Sequence, residues 1–398
     1  MRRALSFAFA AITLAACATA PEREPGVQPE RPTTPGVSFE LRPVAFSDLP
    51  SWQTADVTPA LLAFRRACDG RARRDPTASL PGGGRYGGTV ADWAPACAAA
   101  RTVAPGGERA FFESNFQPYE VRGEGEARLT AYYEPIIEAR RMPEGRFVAP
   151  LLRRPSDMVT VDIAAFAEAY DNEALRGAPR RLTGQINGAE VRPYPKRDQL
   201  TPYQGQAFAY AHPVDVYNLQ IQGSGRIAFP DGTQARAAFA AQNGYRWNSA
   251  LGALRDSGQL QGGATWDNFR RWSDANGAAA TQQALNADPS YVFFEEQQIT
   301  DPAAGPNGAA GVPLTPMGSI AVDPAYHPYG AIVFVDGMYD GGPVRRLLVA
   351  QDTGGAIRRG PLRGDVFFGS GDQAGRGAEQ MNASARWWTL LPRTVPIA

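Results

Sequence analysis

A mainly β fold with some α, divided between two domains, is what this sequence predicts, and three observations lead there. Short runs of β-branched and aromatic residues recur between turn residues. The chain of 398 residues is punctuated by 42 glycines and 34 prolines, residue types that favour strands and turns over long helices. Residues 41–398 also exceed what one hydrophobic core usually serves. Strands are expected over residues 128–133, 214–222, 226–229, 331–335, 345–350 and 387–391, where apolar residues alternate or run briefly between breakers. Helical periodicity marks residues 58–68, 162–169, 234–243, 249–256 and 266–275. No solenoid-type repeat is present.

The amino terminus carries an address. Arg2 and Arg3 precede an apolar stretch, residues 4–16, that is short for a membrane span and ends in small residues before Cys17. Leu14-Ala15-Ala16-Cys17 resembles a bacterial lipoprotein processing site, at which Cys17 would be lipidated; the alternative is an ordinary signal peptide ending between Ala18 and Ala20. By resemblance to lipoprotein sorting rules, Ala18, in place of an aspartate, favours the outer membrane. Residues 1–16 are therefore expected to be a signal peptide and residues 17–40 a Pro-rich tether that cannot fold alone. The expected location is the periplasmic face of a bacterial outer membrane, with a lipid anchor as the sole membrane attachment. Export passes through an oxidising compartment, so Cys68 and Cys97 are either a disulfide or two small buried thiols.

Composition removes several functions. Lys plus Arg and Asp plus Glu number 40 each, and no basic run is interleaved with aromatics, so nucleic acid is not an expected partner. The two histidines, His212 and His327, stand in no metal-binding pattern, and no nucleotide-binding glycine fingerprint follows a strand; no metal and no cofactor are expected.

Chemistry concentrates in residues 345–372, RRLLVAQDTGGAIRRGPLRGDVFFGSGD. An apolar run delivers Asp352 into a glycine-rich turn, and Asp365 follows 365 − 352 = 13 positions later. Gly354, Gly355, Gly360, Gly364, Gly369 and Gly371 permit left-handed turns and close approach of backbone, while Phe367 and Phe368 offer apolar walls. Two carboxyl groups in such surroundings suit acid catalysis, because desolvation and neighbouring negative charge keep one of them protonated. The bland alternative is that both aspartates cap turns. Arg363-Gly364-Asp365 spells an adhesion tripeptide by coincidence.

Other segments have the chemistry of a sugar surface. LTAYYEPIIEA, residues 129–139, sets Tyr132, Tyr133 and Glu134 together before Pro135; aromatic faces stack on sugars and a carboxylate holds hydroxyls, although the same letters describe tyrosines packed in a core. VYNLQIQGSGRI, residues 216–227, alternates Leu219 and Ile221 with Gln220 and Gln222, then turns through Gly223, Ser224 and Gly225. That gives a strand with an amide-rich face, for carbohydrate or for solvent. PSYVFFEE, residues 289–296, reads as a buried strand. Residues 311–336 string Pro and Gly turns between short strands, with Asp323 and His327 as turn formers.

The order of AYYEP, NLQIQGSG, NGYRW, DPSYVFF, PLTPMGSIAVD and QDTGGAIRRGPLRGD resembles the membrane-bound lytic murein transglycosylase A family, from about residue 60 onward. The resemblance implies a double-psi β barrel made of residues 41–125 and 288–398, with residues 126–287 as an inserted, smaller glycan-binding β domain and a groove between them. By the same resemblance Asp365 is the catalytic acid, Asp352 its supporting aspartate, and Asp372 falls in the region of a third. Tyr132, Tyr133, Glu134, Gln220, Gln222, Gly223 and Ser224 would position a peptidoglycan strand. The implied reaction cleaves the MurNAc-GlcNAc bond and closes a 1,6-anhydro ring, with association with a murein-synthesis complex compatible with it. Two departures stand out: the AIRRGPLRGD loop is longer than usual, and Met317-Gly318 replaces a common Gly-Arg. Two other readings remain open, a glycan hydrolase using both aspartates and a non-catalytic glycan-binding lipoprotein.

Overall fold

A computed structural model describes residues 39–82, 86–125, 127–179, 181–200, 205–354, 357 and 360–395. Cys17 and most of the tether lie outside the described residues. The chain starts with β1 (Phe39–Pro43), α1 (Thr58–Arg71), α2 (Ala94–Arg101), α3 (Glu108–Asn115), β2 (Phe116–Gly123) and β3 (Arg128–Glu134). Pro59 and Pro95 sit in the first turns of α1 and α2, where a missing N–H is harmless. Cys68 and Cys97 form a disulfide, Cα–Cα 5.6 Å, that ties α1 to α2.

Next come β4 (Ile136–Arg140), β5 (Ala149–Leu152), β6 (Met158–Asp162), α4 (Ile163–Ala169), α5 (Glu173–Arg176), β7 (Arg181–Asn187), β8 (Glu190–Pro193) and β9 (Ala207–Ala211). These lead to α6 (Pro213–Gln222), β10 (Gly225–Ala228), β11 (Gln234–Gln242), α7 (Ala250–Asp256), α8 (Trp266–Leu285) and β12 (Val292–Gln297). The chain closes with β13 (Ser319–Val322), β14 (Ile332–Tyr339), β15 (Gly342–Asp352), β16 (Arg363–Ser370), α9 (Gly371–Gln380) and β17 (Asn382–Pro392).

Eight strands form one sheet in the order β1-β2-β17-β14-β15-β13-β16-β3, and β3 also pairs with β17. That last pairing, Asn382 with Thr130 and Ala383 with Leu129, closes β17, β14, β15, β13, β16 and β3 into a six-stranded ring. The ring is mixed, with β13 parallel to β15 and β16 parallel to β3. Strand alternation sorts its side chains between two cores. Val333, Val335, Leu348, Ala350, Val366 and Trp387 share one. Ile332, Phe334, Leu347, Val349, Trp388 and Leu390 pack with Trp52, Phe64, Trp93, Phe112 and Phe116 in the other. Each large side chain buried this way contributes roughly 1.5–3 kcal/mol.

A second sheet runs β12-β11-β10-β4-β9-β5, and a bridge between Arg153 and Phe294 joins the chain after β5 to β12. A small third sheet holds β6, β7 and β8. β3 belongs to the ring and β12 to the second sheet, so the chain passes from the first sheet to the second at Pro135 and leaves the second after Gln297.

Two elements correct the expectations from sequence. Residues 214–222, expected as a strand, form α6: His212 caps it through Val214 N, Pro213 opens it, and Gly223 closes it with φ 85°. Burial on nearly every side of α6 mimics strand alternation in the letters. Residues 234–243, expected as a helix, form β11 between β10 and β12. Small residues such as Ala235, Ala237 and Ala238 fit a central strand covered on both faces, and pairing overrides alanine's helical preference.

Candidate active site

β3 sets Thr130 and Tyr132 two residues apart, hence on one face. Parallel β16 places Asp365 opposite Thr130 and Phe367 opposite Tyr132. Antiparallel β13 then places Ala321 opposite Asp365, and after a register shift the same Ala321 stands opposite Asp352 on β15. The ring thus builds a lateral row, Thr130, Asp365, Ala321, Asp352, in which alanine is the smallest side-chain spacer between two half-buried carboxyl groups.

The two aspartates have different neighbours. The Oδ1 of Asp352 accepts from the backbone N–H groups of Ala309 at 3.0 Å and Thr353 at 2.9 Å, and its Oδ2 accepts from the Tyr132 hydroxyl at 2.8 Å. Among the described residues Asp365 has one such bond: the Thr130 hydroxyl donates to its Oδ1 at 2.6 Å. Among the described residues its Oδ2 accepts none. Burial pushes the Asp365 carboxyl above the ordinary range and the nearby Asp352 charge adds to the rise, against the opposing pull of Thr130 and Arg363. Burial also raises Asp352, opposed by its three donors. Three donors favour the ionised form, so Asp352 is suited to carry the charge and Asp365 the proton. Tyr132, held far above its usual value by burial and by Asp352, remains a donor; its ring lies 5.3 Å from the buried Phe367.

Other candidates are placed elsewhere. Tyr133 projects from the opposite face of β3 to Tyr132; its hydroxyl accepts from Asn218 Nδ2 at 2.9 Å and its N–H donates to Gln222 Oε1 at 3.3 Å. Gly375 of α9 leaves room for that ring, since a Cβ there would stand 2.9 Å from it. Asp372 lies in the first turn of α9; burial raises the pKa of the Tyr133 hydroxyl, the bond from Asn218 opposes it, and the charges of Glu379 and Asp372 add to the rise.

Glu134 is not in position to hold a ligand. It is fully buried, accepting from Arg226 Nε at 2.9 Å, Arg236 Nε at 2.6 Å and Ser370 Oγ. Gln220, also buried, accepts from Arg197 Nη1 at 2.7 Å, and α6 turns it away from Gln222, so no shared amide face exists. Ser224 is buried and accepts from Phe239 N at 3.0 Å, while Gly223 ends α6. Asp323 and His327 brace the loop before Asp365: Asp323 Oδ2 accepts from Gly360 N at 3.0 Å, and His327 Nε2 donates to Pro361 O at 2.6 Å. Sequence reading passed over Thr130, Arg363 and Asn218. A period of two along β3 from Tyr132 was the one signal that pointed to Thr130.

Comparison with known proteins fits this geometry. Residues 128–295 match the MltA specific insert domain, and residues 318–391 match the 3D domain, which spans both aspartates. A crystal structure of a membrane-bound lytic murein transglycosylase from Agrobacterium tumefaciens is 30% identical, covers 89% of this chain and 98% of its own, and superposes with a TM-score of 0.72. The chain belongs to the membrane-bound lytic murein transglycosylase A family. The lytic transglycosylase LtgG of Burkholderia pseudomallei is 32% identical over 90% of this chain and 97% of its own, with a TM-score of 0.59. Membrane-bound lytic murein transglycosylase A of Escherichia coli K12 is 28% identical over 282 residues, 68% of this chain and 67% of that one.

Met317 adopts a left-handed φ of 56°, a conformation that suits glycine better, and its N–H donates to Phe367 O at 2.7 Å. The following Gly318 passes close to α1, where a Cβ would meet Pro59 O at 2.4 Å. In the long loop, Gly355, Ala356, Arg358 and Arg359 lie outside the described residues. Gly360, Gly369 and Gly371 have positive φ, whereas Gly364 serves space instead: a Cβ there would strike Trp387 and Ile320. Among the described residues no cluster of three or more His, Cys, Asp or Glu side chains is arranged for a metal, and no helix is long and apolar enough to cross a membrane.

Proposed function

We propose that this protein is a peptidoglycan lytic transglycosylase, a lyase that cleaves the β-1,4 bond between MurNAc and GlcNAc with formation of 1,6-anhydro-MurNAc. The observation that carries the reading is the pairing across Ala321 of Asp365, raised and with one oxygen open, with Asp352, held by three donors, in a family named for this reaction. Asp365 gives its proton to the departing GlcNAc O4 as the C1–O4 bond breaks. Its carboxylate then takes the proton of the MurNAc 6-hydroxyl as O6 bonds to C1. No water is consumed and the acid regenerates itself. Asp352, ionised, raises the acid's pKa and supports positive charge developing at the sugar.

The closed six-stranded ring with two parallel pairings supports a double-psi barrel. A glycan strand would lie between it and the second sheet, against Tyr132 and near Tyr133 and Gln222. Cys17 would carry the lipid anchor, holding the enzyme at the periplasmic face of the outer membrane. Mass spectrometry of peptidoglycan digested by protein lacking residues 1–17 tests the reaction. Anhydro-muropeptides from wild type and none from Asp365→Asn are expected. Hydrated reducing ends would make it a hydrolase, and binding without products would make it a glycan-binding lipoprotein.

A further inference from the structure

Arg363 and Asp365 are two residues apart on β16 and so share a face, with Thr130 of β3 directly opposite Asp365. Arg363, nine-tenths buried, donates from Nη2 to Thr130 Oγ1 at 2.7 Å and from Nη1 to Arg128 O at 3.4 Å and to Gly364 O. Thr130 in turn reaches Asp365 Oδ1 at 2.6 Å. A guanidinium has only donors and a threonine hydroxyl has one hydrogen. With a lone pair of Thr130 taken by Arg363, that hydrogen is directed onto Oδ1. The carboxyl is thereby fixed about its last torsion, and its other oxygen is left to the substrate.

We infer that Arg363, acting through Thr130, positions the Asp365 carboxyl so that Oδ2 is the oxygen that gives and takes the proton. The inference rests on Asp365 being the acid. Proton balance is unchanged: Oδ2–H breaks toward GlcNAc O4, and the 6-hydroxyl proton returns to Oδ2. Thr130 and Arg363 are positioning residues, and they hold down the pKa of a carboxyl that burial lifts. Without them the carboxyl would be a weaker acid for the first proton transfer, to the departing GlcNAc O4.

The test is the pH dependence of anhydro-muropeptide release by wild type, Thr130→Val and Thr130→Ser. Valine keeps the shape and loses the hydroxyl. Because Thr130 stabilises the ionised carboxyl, its loss is expected to move the alkaline limb of the profile upward by roughly one pH unit and to lower kcat about tenfold at little change in KM. Serine is expected to restore both. Binding of an N-acetylglucosamine hexamer and the melting temperature report that the variant is folded. A folded Thr130→Val protein whose limb does not move, or a serine variant that fails to restore it, overturns the inference. Activity remaining in Asp365→Asn would instead overturn the assignment of the acid, a separate failure.

Discussion

Asp352 and Asp365 lie on different strands yet face the same residue, Ala321, and only this alanine separates them along the row. The charge of one therefore acts on the pKa of the other: Asp352 contributes to the raised pKa of Asp365. Neutralising it removes that contribution. Asp352→Asn is expected to lower the pKa of the acid, so the alkaline limb of activity shifts to lower pH, with kcat near neutrality reduced about 10- to 100-fold. A profile of kcat/KM against pH checks this, and a limb that moves upward would assign Asp352 some other role.

Glu134 lies in the AYYEP segment beside the site residues, yet its two oxygens are occupied by Arg226, Arg236 and Ser370. Both arginines are also largely buried and bond Ala304 O, so the carboxylate joins β3, β10, β11 and the chain near residue 304. Removing one member of a buried ion pair leaves the others uncompensated. Glu134→Ala is expected to cost about 3–5 kcal/mol, read from urea unfolding. Unchanged stability with a weaker KM would return Glu134 to the glycan.

Much of the ring was legible because its strands are short apolar or β-branched and aromatic runs with Gly or Pro close to their ends, as in residues 128–133, 331–335 and 387–391. The aspartate pair was legible too, since a glycine-rich turn between two carboxylates is unusual. What failed has a physical pattern. α6 is buried on opposite sides, so its letters read as a strand, and the amides Gln220 and Gln222 were assigned one face when a helix gives them two. In β11, alanines that serve close sheet packing read as helix. Thr130 and Arg363 were passed over because their roles depend on β16 lying parallel to β3, a contact between residues 235 and 233 positions apart in the chain.

The disulfide between Cys68 and Cys97 spans 29 positions. Closing a loop of that length in the unfolded chain is worth about 3–4 kcal/mol in the chain-entropy treatment. Its sulfurs also lie beside the buried Arg71, at 3.9 Å from Nη1, and Arg71 Nη2 donates to Gly330 O at 2.6 Å. The double variant Cys68→Ser, Cys97→Ser is expected to unfold at markedly lower urea concentration, with activity of the folded fraction preserved. No shift of the midpoint would mean that the helices hold this arrangement unaided.

His327 makes the loop before Asp365 sensitive to acid. Its ring is fully buried, stacked 6.0 Å from Trp387. Nε2 donates to Pro361 O at 2.6 Å, which leaves Nδ1 to accept from the Tyr86 hydroxyl, also at 2.6 Å. A proton on Nδ1 would oppose that hydroxyl and place a charge in the core, and burial pushes the pKa down from 6.5 to about 4. The folded value lies below the unfolded one, so the unfolded chain binds more protons between them. Stability from this residue is full above pH 6.5 and declines as pH falls toward 4, by up to about 3 kcal/mol. Asp352 and Asp365, whose values are raised, act in the opposite sense, so wild type must be compared with His327→Gln at each pH. Glutamine keeps a donor and an acceptor without titrating. The variant is expected to be less stable than wild type at pH 7, with the gap narrowing toward pH 5. A gap that stays constant across that range would mean that His327 does not titrate on unfolding, whereas one that widens would reverse the sign of its coupling to folding.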